Sequence, residues 1–266
     1  MYIHNFDPIL INLGILEIRW YSMAYIFGIL LGWWLGKKIL TLKVKKLKLS
    51  FKLDNFDNLI TYLVISIILG GRIGYVIFYN FNYYLTYPLD IFKIWEGGMS
   101  FHGALIGIII GTYIFSVKYK IKTLILLDII ACVSPIGIFF GRIANFINSE
   151  LYGKPAEVFW SVTFTKVDNI ARHPSQIYEA LLEGLLLFII LSTLTFNKNI
   201  KDGICSSFFL ILYGFFRIIA EQFREPDVQV GYYFAYFSLG TILSFLMILF
   251  GVLIFLNLKK SEFKKS

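Results

Sequence analysis

The chain has 266 residues, of which 58% are hydrophobic and 16% charged, and carries a formal net charge of +8 at pH 7. A composition this apolar excludes an ordinary soluble domain and places the chain among integral membrane proteins. Nucleic acid is not implied by the positive charge, because the lysines gather at the ends of apolar runs instead of forming one basic face. Spanning helices need about 20 apolar residues each. Seven runs meet that length, at about 19–36, 59–79, 99–117, 123–147, 176–196, 203–223 and 233–258. Alternation of period two is absent, which excludes a transmembrane barrel. The pattern predicts an all-α integral membrane protein, a single polytopic domain over residues 1–266 with one longer connection at about 148–175.

Before the first run there is no basic leader and no small-residue cleavage site, and Asp7 is present, so that run reads as an uncleaved span beginning near Tyr21. After it come Lys37, Lys38, Lys43, Lys45, Lys46, Lys48 and Lys52, a stretch suited to anionic lipid headgroups, with Asp54 and Asp57 as solvated or interfacial caps. Arg72, Tyr75 and Tyr79 lie toward the far end of the second run. His102 opens the third within Glu96-Gly-Gly-Met-Ser-Phe-His-Gly, and Gly103, Gly107 and Gly111 follow at the four-residue spacing of close helix packing. Lys118, Lys120 and Lys122 end it. The fourth run holds Asp128, expected as another solvated cap, and Cys132, and closes on Arg142 and Asn145, with Asn148 and Glu150 just beyond. Pro174, Ser175 and Gln176 read as the capped start of the fifth, where Glu179 needs a donor and Glu183 serves helix packing. Lys198 and Lys201 follow; then Cys205 opens and Arg217 and Glu221 close the sixth run. Both cysteines read as buried, inert thiols. Lys259, Lys260, Lys264 and Lys265 form the tail.

All four lysine clusters fall on one side of a seven-span alternation, so the positive-inside rule puts the N-terminus outside and the C-terminus in the cytoplasm. The functional polar residues then collect at the outer ends. A charge at the centre of a membrane helix costs roughly 2.5–3.5 kcal/mol, so each of these residues needs a partner, a wet cavity or a ligand. Arg142 could snorkel to the headgroups, and Arg217 with Glu221, four residues on, could form an internal ion pair. Carboxylates at that depth are expected to be too few for Arg72, Arg142 and Arg217, leaving room for an anionic ligand whose phosphate oxygens suit guanidinium forks. His102 could be a packed histidine or a proton acceptor, since imidazoles titrate near neutral pH. Asn145, Asn148 and Glu150 could cap a helix or recognise the hydroxyls of a polyol headgroup.

Taken together, several segments resemble the prolipoprotein diacylglyceryl transferase family from the first run to the last. They are Arg19-Trp-Tyr21, Gly70-Gly-Arg-Ile-Gly-Tyr75, Trp95 to Gly107, Gly141 to Gly153, Arg172 to Glu179, and Tyr213-Gly-Phe-Phe-Arg217 through Glu221 to Asp227. Ser149 stands where the family pattern usually has glycine, as Ala104 often does, and the stretch between Pro155 and Arg172 is short for the family. The resemblance implies a multi-pass enzyme of the bacterial inner membrane, active at its outer face. It would transfer diacylglyceryl from phosphatidylglycerol to the lipobox cysteine of a secreted prolipoprotein, releasing glycerol phosphate. Arg142 and Arg217 would clamp the phosphate and His102 would take the thiol proton. Tyr21, Arg72, Asn145, Glu150, Gly153, Glu179, Tyr213 and Glu221 would line or support the site. No cofactor or metal is expected, because the three histidines are dispersed. A transporter for an anionic metabolite would need polar groups through the inner half and repeated halves, and a non-enzymatic lipid-binding factor would not need His102.

Overall fold

A computed structural model describes residues 2–14, 17–197, 200–226, 232–233 and 237–263. Lys198, Asp227, Lys264 and Lys265 lie outside the described residues. Among the described residues, seven helices are long and apolar enough to cross a membrane: Trp20–Leu47, Asn55–Phe78, Phe101–Tyr119, Thr123–Ile147, Ser175–Phe196, Ile204–Glu221 and Leu239–Lys260. The protein is therefore a mostly helical, seven-span, multi-pass membrane protein. The last helix continues to Phe263. The chain divides into two compact units, residues 1–36 with 128–266, and residues 37–127.

The first membrane helix does not stop where its lysines begin. At about 1.5 Å per residue its 28 residues are longer than the roughly 30 Å of hydrocarbon they cross. Lysine is a good helix former, so the polar run continues the helix instead of ending it. The actual stop is Lys48 in the left-handed region (φ 48), with Leu49 N–H donating to Val44 O at 3.1 Å.

In the unit of residues 37–127, the second and third membrane helices pack through facing glycines. A Cβ at Gly74 would lie 2.6 Å from Gly103 Cα, and one at Gly70 would lie 2.9 Å from Gly107 Cα. The small-residue stripe thus brings two backbones together. Asp57, in the first turn of the second helix, holds Lys37 at 2.9 Å. Asp54 precedes that helix without a side-chain cap bond. A short helix, Phe81–Thr86, and two 3-10 turns, Pro88–Phe92 and Ile94–Glu96, join the two long helices.

In the other unit, the fifth membrane helix contains a π-helical stretch, Ala180–Leu186. Gly184 lets the fourth helix approach there, since a Cβ on it would meet Phe139 Cα at 2.8 Å. Asp128 is not a solvated cap of its own helix. It is 1% exposed and caps the sixth helix instead, accepting from Gly203 N–H and Ser206 N–H at 2.8 Å each and from Ser206 Oγ at 2.6 Å. Cys132 and Cys205 are buried free thiols.

Short strands lie outside the spans. β1 (Tyr2–His4) pairs in parallel with β4 (Val162–Phe164), which pairs antiparallel with β5 (Ala171–Arg172). β2 (Ile9–Asn12) and β3 (Glu17–Arg19) form a hairpin. The middle of the connection at 148–174 is thereby tied to the N-terminal residues.

Candidate active site

The end of the fourth helix brings Arg142 and Asn145 into a turn whose backbone is unusual. Ser149 and Leu151, on either side of Glu150, have φ of 59° and 54°. L-residues avoid this region by roughly 1–2 kcal/mol each, so the turn must be held from outside. Glu150 N–H donates to Asn145 O at 2.9 Å, Gln176 Nε2 to Glu150 O at 2.6 Å, and Ser175 Oγ to Leu151 O at 3.0 Å. Ser175 and Gln176 therefore do not cap the fifth helix with their side chains, as the sequence suggested. They fasten the preceding turn. Ser149 Oγ also lies 3.2 Å from Nδ1 of the fully buried His4. The Glu150 carboxylate accepts from Asn145 Nδ2 at 3.1 Å and Asn148 Nδ2 at 3.3 Å.

Arg142 and Arg217 converge on one carboxylate. Glu179, with no exposed side-chain surface, meets Arg142 Nε at 2.8 Å through Oε2 and accepts from Arg217 Nη1 at 2.8 Å through Oε1. Arg224 Nη1 reaches the same Oε1 at 3.4 Å. Glu221 stands 2.7 Å from Arg217 Nη2, one helical turn away. Glu183 is equally enclosed. Arg142 Nη2 donates to its Oε2 at 3.3 Å, and Arg217 Nη1 lies 3.5 Å from its Oε1.

Glu183 thus contacts both guanidinia and is not merely a packing residue. The expected shortage of carboxylates does not hold either. Among the described residues, Glu179, Glu183 and Glu221 face Arg142, Arg217 and Arg224. Arg224 escaped the sequence reading although a signal was present, because positions 217, 221 and 224 follow helical spacing. Tyr213 is buried in the same unit, 2% exposed, with its ring stacked on Phe209.

Gly153 sits where backbones cross. Its N–H donates to His173 O at 3.1 Å, and its carbonyl accepts from Arg172 Nη1 at 3.1 Å. A Cβ there would land on the His173 carbonyl and 2.7 Å from that of Phe223. Arg172 is itself fixed by Asp168 at 2.6 Å, and the guanidinium holds that carboxyl below the usual carboxylate range. Near the start of the first helix, the Tyr21 ring lies 5.1 Å from that of Tyr25, centre to centre.

In the unit of residues 37–127, Arg72 is 5% exposed and its donors are taken up by backbone carbonyls. Nε donates to Ile91 O at 2.9 Å. Nη1 donates to Gly97 O at 2.6 Å and Gly98 O at 3.4 Å, and Nη2 to Asp90 O at 2.6 Å and Lys93 O at 3.1 Å. Its charge is met by carbonyl dipoles and by the Tyr84 ring at 5.3 Å, so it shapes the loop leading to His102. Ser100 N–H donates to Gly71 O at 2.9 Å, and its Oγ caps the third helix by accepting from Gly103 N–H at 3.2 Å. His102 is half-buried in that helix's first turn, edge-on to Phe101.

The sequence model of the family described as Prolipoprotein diacylglyceryl transferase matches residues 8–257. A protein of Ehrlichia ruminantium (strain Welgevonden), named phosphatidylglycerol–prolipoprotein diacylglyceryl transferase, is 48% identical over 254 residues, 94% of this chain and 96% of its own. Two similar proteins carry the same name. One from Rickettsia felis is 50% identical over 249 residues, 93% of this chain and 95% of its own. One from Ehrlichia canis is 48% identical over 264 residues, 98% of each chain.

Proposed function

The chain belongs to the prolipoprotein diacylglyceryl transferase family, and from that premise we infer that it is a transferase acting in the first step of lipoprotein maturation. It moves diacylglyceryl from phosphatidylglycerol to the lipobox cysteine of a prolipoprotein. Sulfur bonds to the glyceryl carbon, the bond from that carbon to the phosphate oxygen breaks, and glycerol phosphate leaves.

The convergence of Arg142 and Arg217 on Glu179, each at 2.8 Å, carries the mechanistic reading. Two forks aimed at one acceptor from two helices form a site that a phosphate can enter, and their charge stabilises the leaving group as it gains charge. Glu179 and Glu221 keep the forks in place, with Tyr213 in support. Asn145 and Glu150, already bonded to one another, offer donors and acceptors to the glycerol hydroxyls. Gly153 keeps the crossing of backbones beside that turn open, and Tyr21 adds a phenol from the first helix. His102 takes the proton of the incoming thiol, which at a free pKa of about 8.5 is mostly protonated at neutral pH. Arg72 serves through the loop it holds.

The whole chain of 266 residues acts as one polytopic domain of the inner membrane. Its N-terminus and active site face outward, its C-terminus faces the cytoplasm, and membrane lipids surround it. The test is an assay of the purified protein with phosphatidylglycerol and a lipobox peptide, read by mass spectrometry. Peptide gaining one diacylglyceryl mass with equimolar glycerol phosphate is expected; unchanged peptide would refute the assignment.

A further inference from the structure

The carboxylates around Arg142 and Arg217 are not held alike. Glu179 and Glu221 lie 2.7–2.8 Å from their guanidinium partners, within the usual 2.7–2.9 Å of charge-assisted contacts. Among the described residues, Glu183 has only one donor at 3.3 Å and one approach at 3.5 Å, with no exposed side-chain surface. Lengths of that order belong to a neutral acceptor more than to a buried anion, which would draw its partners in.

The charge count leads the same way, and here it rests on the phosphate-clamp reading above. Arg142, Arg217 and Arg224 bring three positive charges; Glu179, Glu221 and one phosphodiester bring three negative. An ionised Glu183 would leave the buried site with one uncompensated negative charge, whereas a protonated one leaves it neutral.

We propose that Glu183 is the proton-bearing positioning residue of the cluster, its carboxyl protonated whenever an anionic phosphodiester lies between Arg142 and Arg217. Any proton it needs on lipid binding comes from bulk water, and no bond other than O–H is made. The neutral acid keeps its contact with Arg142 without competing for the charge of the fork, so the phosphate can take the short contacts. The π-helical stretch in which Glu183 sits directs it to the same two guanidinia as Glu179. The charged and titratable groups facing it are Arg142 on the fourth helix, Glu179 on its own, Arg217 and Tyr213 on the sixth, and Arg224 beyond it.

The test uses the full chain in dodecyl maltoside with dialkyl-ether phosphatidylglycerol, which has no ester carbonyl, and infrared spectroscopy of the lipid-bound protein. Wild type is expected to show a carboxylic-acid C=O band that shifts with 13C-labelled glutamate and is absent from Glu183→Gln. Lipid affinity should fall tenfold per pH unit above the pH where Glu183 ionises in the lipid-free protein, as one linked proton requires, and Glu183→Gln should lose that dependence. Should Glu183→Gln not fold, Glu183→Asp is expected to keep an acid band that labelled glutamate no longer moves. A lipid-bound wild type without the band, or a band persisting unchanged in Glu183→Gln, overturns the proposal. Undiminished lipid affinity in both Arg142→Lys and Arg217→Lys would instead refute the clamp.

Discussion

Arg142 and Arg217 each contact Glu179 with one edge of the guanidinium and a second carboxylate with another nitrogen. A lysine could supply the charge but only one point of contact. Arg142→Lys and Arg217→Lys are each expected to lower the transfer rate by about 10²-fold, the scale of losing one aligned donor to a developing oxyanion, while the protein still inserts; near-normal turnover in either would remove that residue from the clamp. For His102→Gln the expected loss is also about 10²-fold, with part of the rate regained at higher pH where the thiol ionises unaided. A loss independent of pH would reassign His102 to packing. The arginines were legible in the sequence because charge inside an apolar run demands an explanation. Glu183 was read as packing because spacing reports that two residues share a helix face, not what opposes it. Ser149 was visible only as a departure from a glycine pattern; its contact with His4, 145 positions away, has no local signature.

Helix existence was written in the apolar runs, and the fourth run matches its helix, Thr123–Ile147, to the residue. Ends were harder where polarity and helix propensity disagree, as along Lys37–Leu47. The π-helical stretch has no sequence mark apart from Gly184, and β1 was missed because its partner β4 is distant in the chain. His4 in β1 is buried and His173 at the Gly153 crossing is half-buried, and desolvation pushes both below the ordinary imidazole value. Protons bind the unfolded forms more readily in the window between the folded-state values and 6.5. The stability these histidines contribute is therefore present above about pH 6.5 and lost as pH falls through the folded-state values. Amides of residues 2–4 and 162–173 should exchange faster at pH 5 than at pH 7.5, after correction for intrinsic rates and relative to the helix at 204–221. Equal protection at both pH values would contradict this.

Over the whole molecule, the lysine clusters make a prediction that helix positions cannot make alone. In a Cys132→Ala, Cys205→Ala background, cysteines at Lys43 and Lys120 should resist an impermeant thiol reagent added outside, and one at Lys166 should react; the reverse pattern would invert the protein. The same background should retain transfer, because the client's cysteine is the nucleophile and both endogenous thiols are buried. The ion cluster also bears on how the chain is made. Glu183 lies eight residues from the start of its helix, roughly 12 Å along it, and its arginine partners belong to the helices synthesised before and after it. Until the sixth helix emerges from the ribosome, Arg142, Glu179 and Glu183 cannot all be matched, so the fourth and fifth helices must linger beside the insertion channel and enter the lipid together with the sixth. A photo-crosslinker placed beside Arg142 should report channel protein in chains arrested before Arg217 has emerged and lipid in longer ones; lipid contact in both would mean that each helix departs alone, its charges still unmatched.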